Sequence, residues 1–283
     1  MIVPGSASQS LAAALSSELD RPLVTVTTER FPDGELLTSV PETETDSAVI
    51  VASTTTSDDH IELLQLQDAL HESGVGEITT VIPYMGYGRQ DSAFEAGQPV
   101  SVRAVARAIS TGTDRVLVVS PHEERCLEFF SVPATALSGA SVLADPLSEL
   151  TNPVFLSPDE GAVQIAAQVR EAYGEGEVDY FEKVRHSGSD VEITPSDVEV
   201  EGRDVVIADD IVATGSTMSE AIAALEKPKR VFVTCVHPML AGNARTKLAK
   251  SGVTAIYGTD TIERAESEIS VAPVIAEALK ESH

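Results

Sequence analysis

Along the chain, short runs of β-branched and aliphatic residues alternate with longer stretches whose apolar residues return at the three-to-four-residue spacing of a helix face. The runs predict strands at Ile2–Val3, Val24–Thr27, Val49–Ala52, Thr79–Pro83, Val116–Ser120, Val154–Ser157, Val178–Phe181, Val205–Ala208, Val231–Val236 and Ala255–Tyr257. The stretches between them predict helices ending near Leu19, His71, Ser110, Tyr173, Leu225 and Ser251, with a closing helix over Ala272–Lys280. For the helix ending at His71, Asp59 and Glu62 form a capping-box-like start. Buried strands alternating with helices in this way predict an α/β protein. After Val132–Leu137 the small residues Ser138–Ser141 interrupt the pattern, and it then starts afresh. Two tandem domains are expected, over residues 1–137 and 138–283.

Composition narrows the class. No stretch of the 283 residues approaches the apolar length of a membrane span, and Met1–Val3 is broken by Pro4 and Gly5 with no basic residue before it. A cytoplasmic protein without a membrane partner is expected. Forty-five acidic side chains against 19 basic ones give a net charge of −26, which excludes nucleic acid as a partner. So acidic a chain, poor in lysine and without tryptophan, has the composition of a halophilic protein. Molar salt shortens the Debye length to roughly 3 Å, so local basic groups decide anion binding. Cys126 and Cys235 form neither a metal-binding pair nor a disulfide framework.

Candidate chemistry lies where strands end. After Val205–Ala208 come Asp209 and Asp210, then Ala213, Thr214, Gly215, Ser216 and Thr217, small residues where the next helix begins. Free N–H groups and the positive end of a helix dipole favour an anion there, and paired carboxylates accept hydrogen bonds from sugar hydroxyls. Pro32, Asp33 and Gly34 make a strong turn signal within Arg30–Glu35. Tyr84–Asp91 ends in a cation, an amide and an acid, namely Arg89, Gln90 and Asp91. His122 follows a strand among acids, Asp159 follows Val154–Ser157, and Lys183, the first of six lysines, opens a polar loop after Phe181. Singly, each has an ordinary surface or capping explanation.

In order, RFPDGE (30–35), YGRQD (87–91), His122 with EFF (128–130), SPDEGA (157–162), KVR (183–185), DDIVATGST (209–217) and VHPMLAG (236–242) resemble the ribose-phosphate diphosphokinase (PRPP synthetase) family, in its archaeal type, over nearly the whole chain. The resemblance implies two phosphoribosyltransferase-like domains, each a mainly parallel sheet flanked by helices. The first would lie on the ATP side and the second on the ribose 5-phosphate side, with the helix after Pro273 packing back on the first. It implies transfer of a diphosphoryl group from ATP to ribose 5-phosphate, Mg2+ as cofactor, and homo-oligomers built on dimers. Lys183 and Arg185 would be catalytic, with Arg185 also binding ribose 5-phosphate. Phe31, Asp33, Gly34, Glu35, Arg89, Gln90 and Asp91 would bind ATP, with RFPDGE reaching a neighbouring subunit's site. Asp209, Asp210 and the stretch Ala213–Thr217 would bind ribose 5-phosphate, and His122 and Asp159 the metal. Ser120, Glu160, Ala162 and Ala213 depart from the bacterial pattern. Ser120 and Ala213 each stand in place of an acid. A transferase that consumes PRPP would share only the 209–217 loop, and a non-catalytic subunit would be expected to lose Lys183 or one of the paired acids.

Overall fold

Strand β1 (Ile2–Pro4) leads through helix α1 (Gln9–Leu19) to a hairpin of β2 (Thr27–Arg30) and β3 (Leu36–Ser39). Then follow β4 (Ser47–Val51), α2 (Ser57–Glu72), β5 (Glu77–Ile82), α3 (Ser101–Ile109), β6 (Arg115–Val119) and β7 (Ala134–Leu137). In this computed structural model, which describes residues 1–42, 44–187, 190–194 and 198–281, the strands outside the hairpin form one parallel sheet ordered β1-β4-β5-β6-β7. Ala48, Ile50, Ile78, Ile82, Val116 and Val118 pack against Leu63, Leu66 and Leu70 of α2 and Val102, Ala106 and Ile109 of α3. Each buried leucine of α2 contributes about 1.5–3 kcal/mol by leaving water. The alternate residues Val49, Val51, Val81, Leu117 and Val119 are equally buried and project to the other side of the sheet. That double burial explains why the strands read as unbroken apolar runs.

Two local expectations shift. The strand expected at Val24–Thr27 forms instead from Thr27 to Arg30, because the Val24 N–H is taken by the carbonyl of Ile2 and β2 pairs only with β3. The capping box of α2 lies one helical turn earlier than expected. Thr56 is the cap, its hydroxyl accepting the Asp59 N–H at 3.2 Å while the Asp59 carboxylate accepts the Thr56 N–H at 2.7 Å. Glu62 is thereby freed to turn inward, where it accepts from the Ser6 N–H and hydroxyl and from the Thr28 hydroxyl.

The second unit begins with β8 (Val154–Ser157), α4 (Val163–Tyr173) and β9 (Glu177–Tyr180). A hairpin of β10 (Glu182–Ser187) and β11 (Asp190–Thr194) stands where the sequence predicts a loop. It continues with β12 (Asp204–Ile211), α5 (Ser216–Ala223), β13 (Arg230–His237), α6 (Ala244–Lys250), β14 (Ala255–Thr259) and β15 (Ser267–Ile269). Six parallel strands lie in the order β15-β14-β13-β12-β8-β9. The order runs outward in both directions from the β8–β12 pair, so the sheet has a topological switch point there, where open α/β sheets place their ligands. At the opposite, amino end of β12 the fully buried Asp204 carboxylate pairs with Arg230 at 2.6 Å. The Arg230 hydrogen bond holds that carboxyl below the usual range.

The compact units are Met1–Ser138 with Asp260–Glu263 and the described residues from Ser270 on, and Gly139–Thr259 with Arg264–Ile269. The last helix, α7 (Ala272–Lys280), belongs to the first unit, where it packs on α1. Within that unit the Ser53 hydroxyl donates to the Thr261 carbonyl, and the Ser10 N–H donates to Glu263.

Two candidate ligand loops

In the first unit the tip of the β2–β3 hairpin is closed by the Phe31 N–H on the Glu35 carbonyl and the Gly34 N–H on the Phe31 carbonyl, with Gly34 at φ 96°. A left-handed φ of this kind is one that glycine adopts without strain. The Asp33 carboxylate accepts the Glu35 N–H, and Arg30 spans from the Gly34 carbonyl to Asp58. Gln65 of α2 ties the hairpin down through the Thr38 N–H and the Leu36 carbonyl. Phe31 remains 45% exposed, and Asp33 and Glu35 are exposed beside it.

The loop after β5 is braced from several sides. The Gly86 N–H donates to the Thr54 hydroxyl, and a Cβ on Gly86 would fall 2.0 Å from the Thr54 carbonyl oxygen. His60 lies beneath, its ring 5.3 Å from that of Tyr87, a residue in the left-handed region at φ 63°. Gln90 accepts from the Ser101 hydroxyl at the start of α3. Asp91 is held by Arg125, whose Nε donates to it at 2.6 Å. Burial pushes the Asp91 carboxyl up, and the hydrogen bond and charge of Arg125 more than offset this, leaving it below the usual range. Of the three polar residues closing this loop, Arg89 is exposed and pairs with no carboxylate among the described residues. At the end of β6, Ser120 takes a left-handed φ of 39°, and His122 is exposed two residues on.

In the second unit Asp209 and Asp210 do not leave the strand as the sequence suggests. They are its last residues before Ile211, kept in register by Asp209 opposite Cys235 and Ile211 opposite His237. Each carboxylate accepts the next residue's N–H, at 2.9 and 2.8 Å. Burial, the charge of Asp210 beside it and that of Asp159 raise the Asp209 carboxyl well above its ordinary value. Asp159 follows β8, at the other side of the switch point. Among the described residues no three of His, Cys, Asp and Glu converge closely enough to cage a metal by themselves. Both cysteines are buried and unpaired.

The loop from Val212 to Thr217 is shaped by the segment after β13. Val212 donates to the His237 carbonyl, and Leu240 and Ala241 donate back to Val212 and Ala213. Gly215 caps α5 at φ 70°, with Ala244 and Leu248 of α6 at 3.3–3.4 Å from where a Cβ would stand. The first N–H groups of α5 have no acceptor within the helix and point out from its positive end. Lys247 of α6, which sequence reasoning did not single out, donates from Nζ to the Ser216 hydroxyl at 2.7 Å. The side chains of Lys183 and Arg185 lie outside the described residues. Their backbone is the β10 strand of the hairpin.

A small-residue loop and paired acids at the switch point of a parallel sheet, preceded by a second parallel α/β unit, define a tandem protein of the phosphoribosyltransferase class. Residues 1–112 match the family model described as the N-terminal domain of ribose phosphate pyrophosphokinase, and residues 133–268 match the phosphoribosyl transferase domain. A protein of Halobacterium salinarum named ribose-phosphate pyrophosphokinase is 63% identical over 281 residues, covering 99% of this chain and all of that one. A protein of the same name from Methanosarcina mazei is 44% identical over 98% of this chain and 94% of that one. The crystal structure of phosphoribosylpyrophosphate synthetase from Mycobacterium smegmatis shares the fold, with a TM-score of 0.84 and 24% identity over all of this chain and 98% of that one. The chain belongs to the ribose-phosphate pyrophosphokinase family and is an enzyme.

Proposed function

We propose that this enzyme transfers the diphosphoryl group of ATP to the anomeric hydroxyl of ribose 5-phosphate, releasing AMP and forming 5-phosphoribosyl 1-diphosphate. The observation that carries this reading is the small-residue loop opening α5 beside Asp209 and Asp210, at the switch point of the second sheet. The names of the whole-length relatives support it.

In this reading the second unit binds ribose 5-phosphate. The N–H groups from Ala213 to Thr217 take its 5-phosphate, and Asp209 and Asp210 accept from its ring hydroxyls. The first unit binds ATP, through Arg89, Gln90 and Asp91 on one subunit and Phe31, Asp33, Gly34 and Glu35 on the hairpin of a neighbour. The exposed Phe31 is suited to stack on a base. A homo-oligomer built on dimers follows from that division, and a cytoplasmic enzyme from its substrates. Lys183 and Arg185, with Arg185 also on the sugar phosphate, neutralise charge as the phosphates separate.

Magnesium fits the residues present. The carboxylates of Asp210 and Asp159 lie near enough to Asp209 to raise its proton affinity together with its burial, and oxygen donors of this kind suit a hard, largely hydrated cation. Asp159 and His122 are the proposed ligands. When bound, the ion supplies charge neutralisation on the nucleotide phosphates. The residues of the chain hold the sugar hydroxyl in line with the β-phosphorus, the positioning on which phosphoryl transfer chiefly depends.

The test is to supply ATP, ribose 5-phosphate and magnesium at low and at molar salt. Equimolar AMP and 5-phosphoribosyl 1-diphosphate are expected, and activity confined to high salt would support halophilic adaptation. A folded protein that forms neither product under either condition would refute the diphosphokinase reading.

A further inference from the structure

Helix α6 carries two basic residues with different fates. Arg245 turns to Glu266, which it meets at 2.5 Å through Nε. Two residues on, Lys247 turns the other way and donates to the hydroxyl of Ser216, the first residue of α5. It pairs with no carboxylate among the described residues, although acids outnumber bases 45 to 19 in this chain. An ammonium group is thus held next to the positive end of a helix dipole, an arrangement that repels unless an anion joins it. The position is fixed by packing, since Ala244 and Leu248 of the same helix close directly on Gly215.

The hydrogen bonding leaves donors to spare. Ser216 Oγ accepts from Lys247 at 2.7 Å and from the Thr214 hydroxyl at 3.3 Å. A hydroxyl that accepts twice still has its own proton to donate, and an ammonium using one donor has two more.

We infer that Lys247 binds the 5-phosphate of ribose 5-phosphate, reading its charge directly and fixing Ser216 as a second donor to it. This inference rests on the sugar-phosphate reading of the 212–217 loop, and it assigns to a neighbouring helix the discrimination between phosphorylated and free pentose. The backbone N–H groups give the loop its shape selectivity, and Lys247 gives it a full positive charge in a chain that otherwise repels dianions.

The experiment compares Lys247→Met, Lys247→Gln and Lys247→Arg with the wild-type enzyme in steady-state kinetics and in calorimetric titration with ribose 5-phosphate. Hydrogen bonds to charged groups contribute enough that Lys247→Met should raise the KM and Kd for ribose 5-phosphate by about tenfold or more. The KM for ATP should stay as it is, and kcat should fall much less. Lys247→Gln, which keeps a donor for Ser216 without the charge, should resemble Lys247→Met, whereas Lys247→Arg should recover most of the affinity. A wild-type affinity in the Gln variant would reduce Lys247 to a brace for Ser216 and overturn the inference. So would a loss in the Met variant that falls equally on both substrates. If the wild-type enzyme forms no product from ribose 5-phosphate, the parent reading fails and this one with it. An active wild type with an unaffected Met variant overturns the Lys247 assignment alone.

Discussion

The loop after β5 and the loop after β12 both end strands of parallel sheets, yet they are kept in shape by different means. In the first, the polar side chains are engaged within the protein: Gln90 with Ser101, Asp91 with Arg125, Tyr87 with Ser57 and the ring of His60. In the second, the backbone does the shaping, through the bonds between Val212–Ala213 and His237–Ala241, and Ser216 accepts from Thr214 and Lys247. The acids there are less settled, with the Asp209 carboxyl raised by burial and by the neighbouring charge of Asp210. The first loop, braced by its own side chains, should therefore fail through misplacement. The second, braced by its backbone, should fail through loss of a specific contact.

The largest effect should come from closing the space that the first loop needs. Gly86→Ala would put a methyl group 2.0 Å from the Thr54 carbonyl and 3.0 Å from His60 Nε2, so backbone would have to move. A loss of about 3 kcal/mol is expected in denaturant unfolding, the upper part of the range for overpacking. Gly215→Ala in the other loop meets neighbours only at 3.3–3.4 Å, so its cost is mainly that of the left-handed backbone, about 1–2 kcal/mol. Equal losses at the two glycines would erase the contrast.

Next in size is the Arg125–Asp91 pair. Arg125→Gln should raise the KM for ATP by roughly tenfold, short of the hundredfold that a misplaced reacting group can cost. Asp91→Asn added to it should cause little further loss, because the two act as one device. Additive losses would mean that Asp91 and Arg125 act independently and that the pair is not one device.

What could be read in the sequence follows the same division. Buried parallel strands announce themselves by apolar runs, and Val154–Ser157 falls where the pattern puts it. The β10–β11 hairpin and β15 do not, since polar residues held by main-chain pairing leave little pattern. Thr54–Asp59 offers several possible caps in a row, and the Thr56–Asp59 box that acts leaves Glu62 to turn inward toward Ser6. Gly215 and its small neighbours mark the start of α5 in the sequence, but the bonds from His237–Ala241 that hold the loop are long-range and left no local signal. Lys247 and Arg125 were not legible, because their partners lie 31 and 34 residues away and only the folded chain brings them together.

The smallest effect should be a pH dependence carried by His60. The residue is 7% exposed, and neither ring nitrogen has a hydrogen-bond partner among the described residues. Burial lowers its proton affinity, and the nearby Asp59 charge offsets this only in part, being itself engaged with Thr55 and Thr56. The unfolded chain takes up a proton near pH 6.5, whereas the folded chain does so only at lower pH. Below that value the unfolded state binds more protons, so stability falls as pH falls and is regained as pH rises. Asp209 has the opposite sign: its raised folded value makes its contribution fall as pH rises. Subtracting a His60→Gln variant from the wild type isolates the histidine. Melting should be compared at about pH 7.5 and about pH 5.5, on either side of the unperturbed imidazole value. The wild type should lose up to about 1 kcal/mol more than the variant over that interval. Because the ring supports Tyr87, the loss should appear first as weaker ATP binding, with ribose 5-phosphate binding unmoved. An acid loss that falls on both substrates alike would place its origin outside the loop after β5.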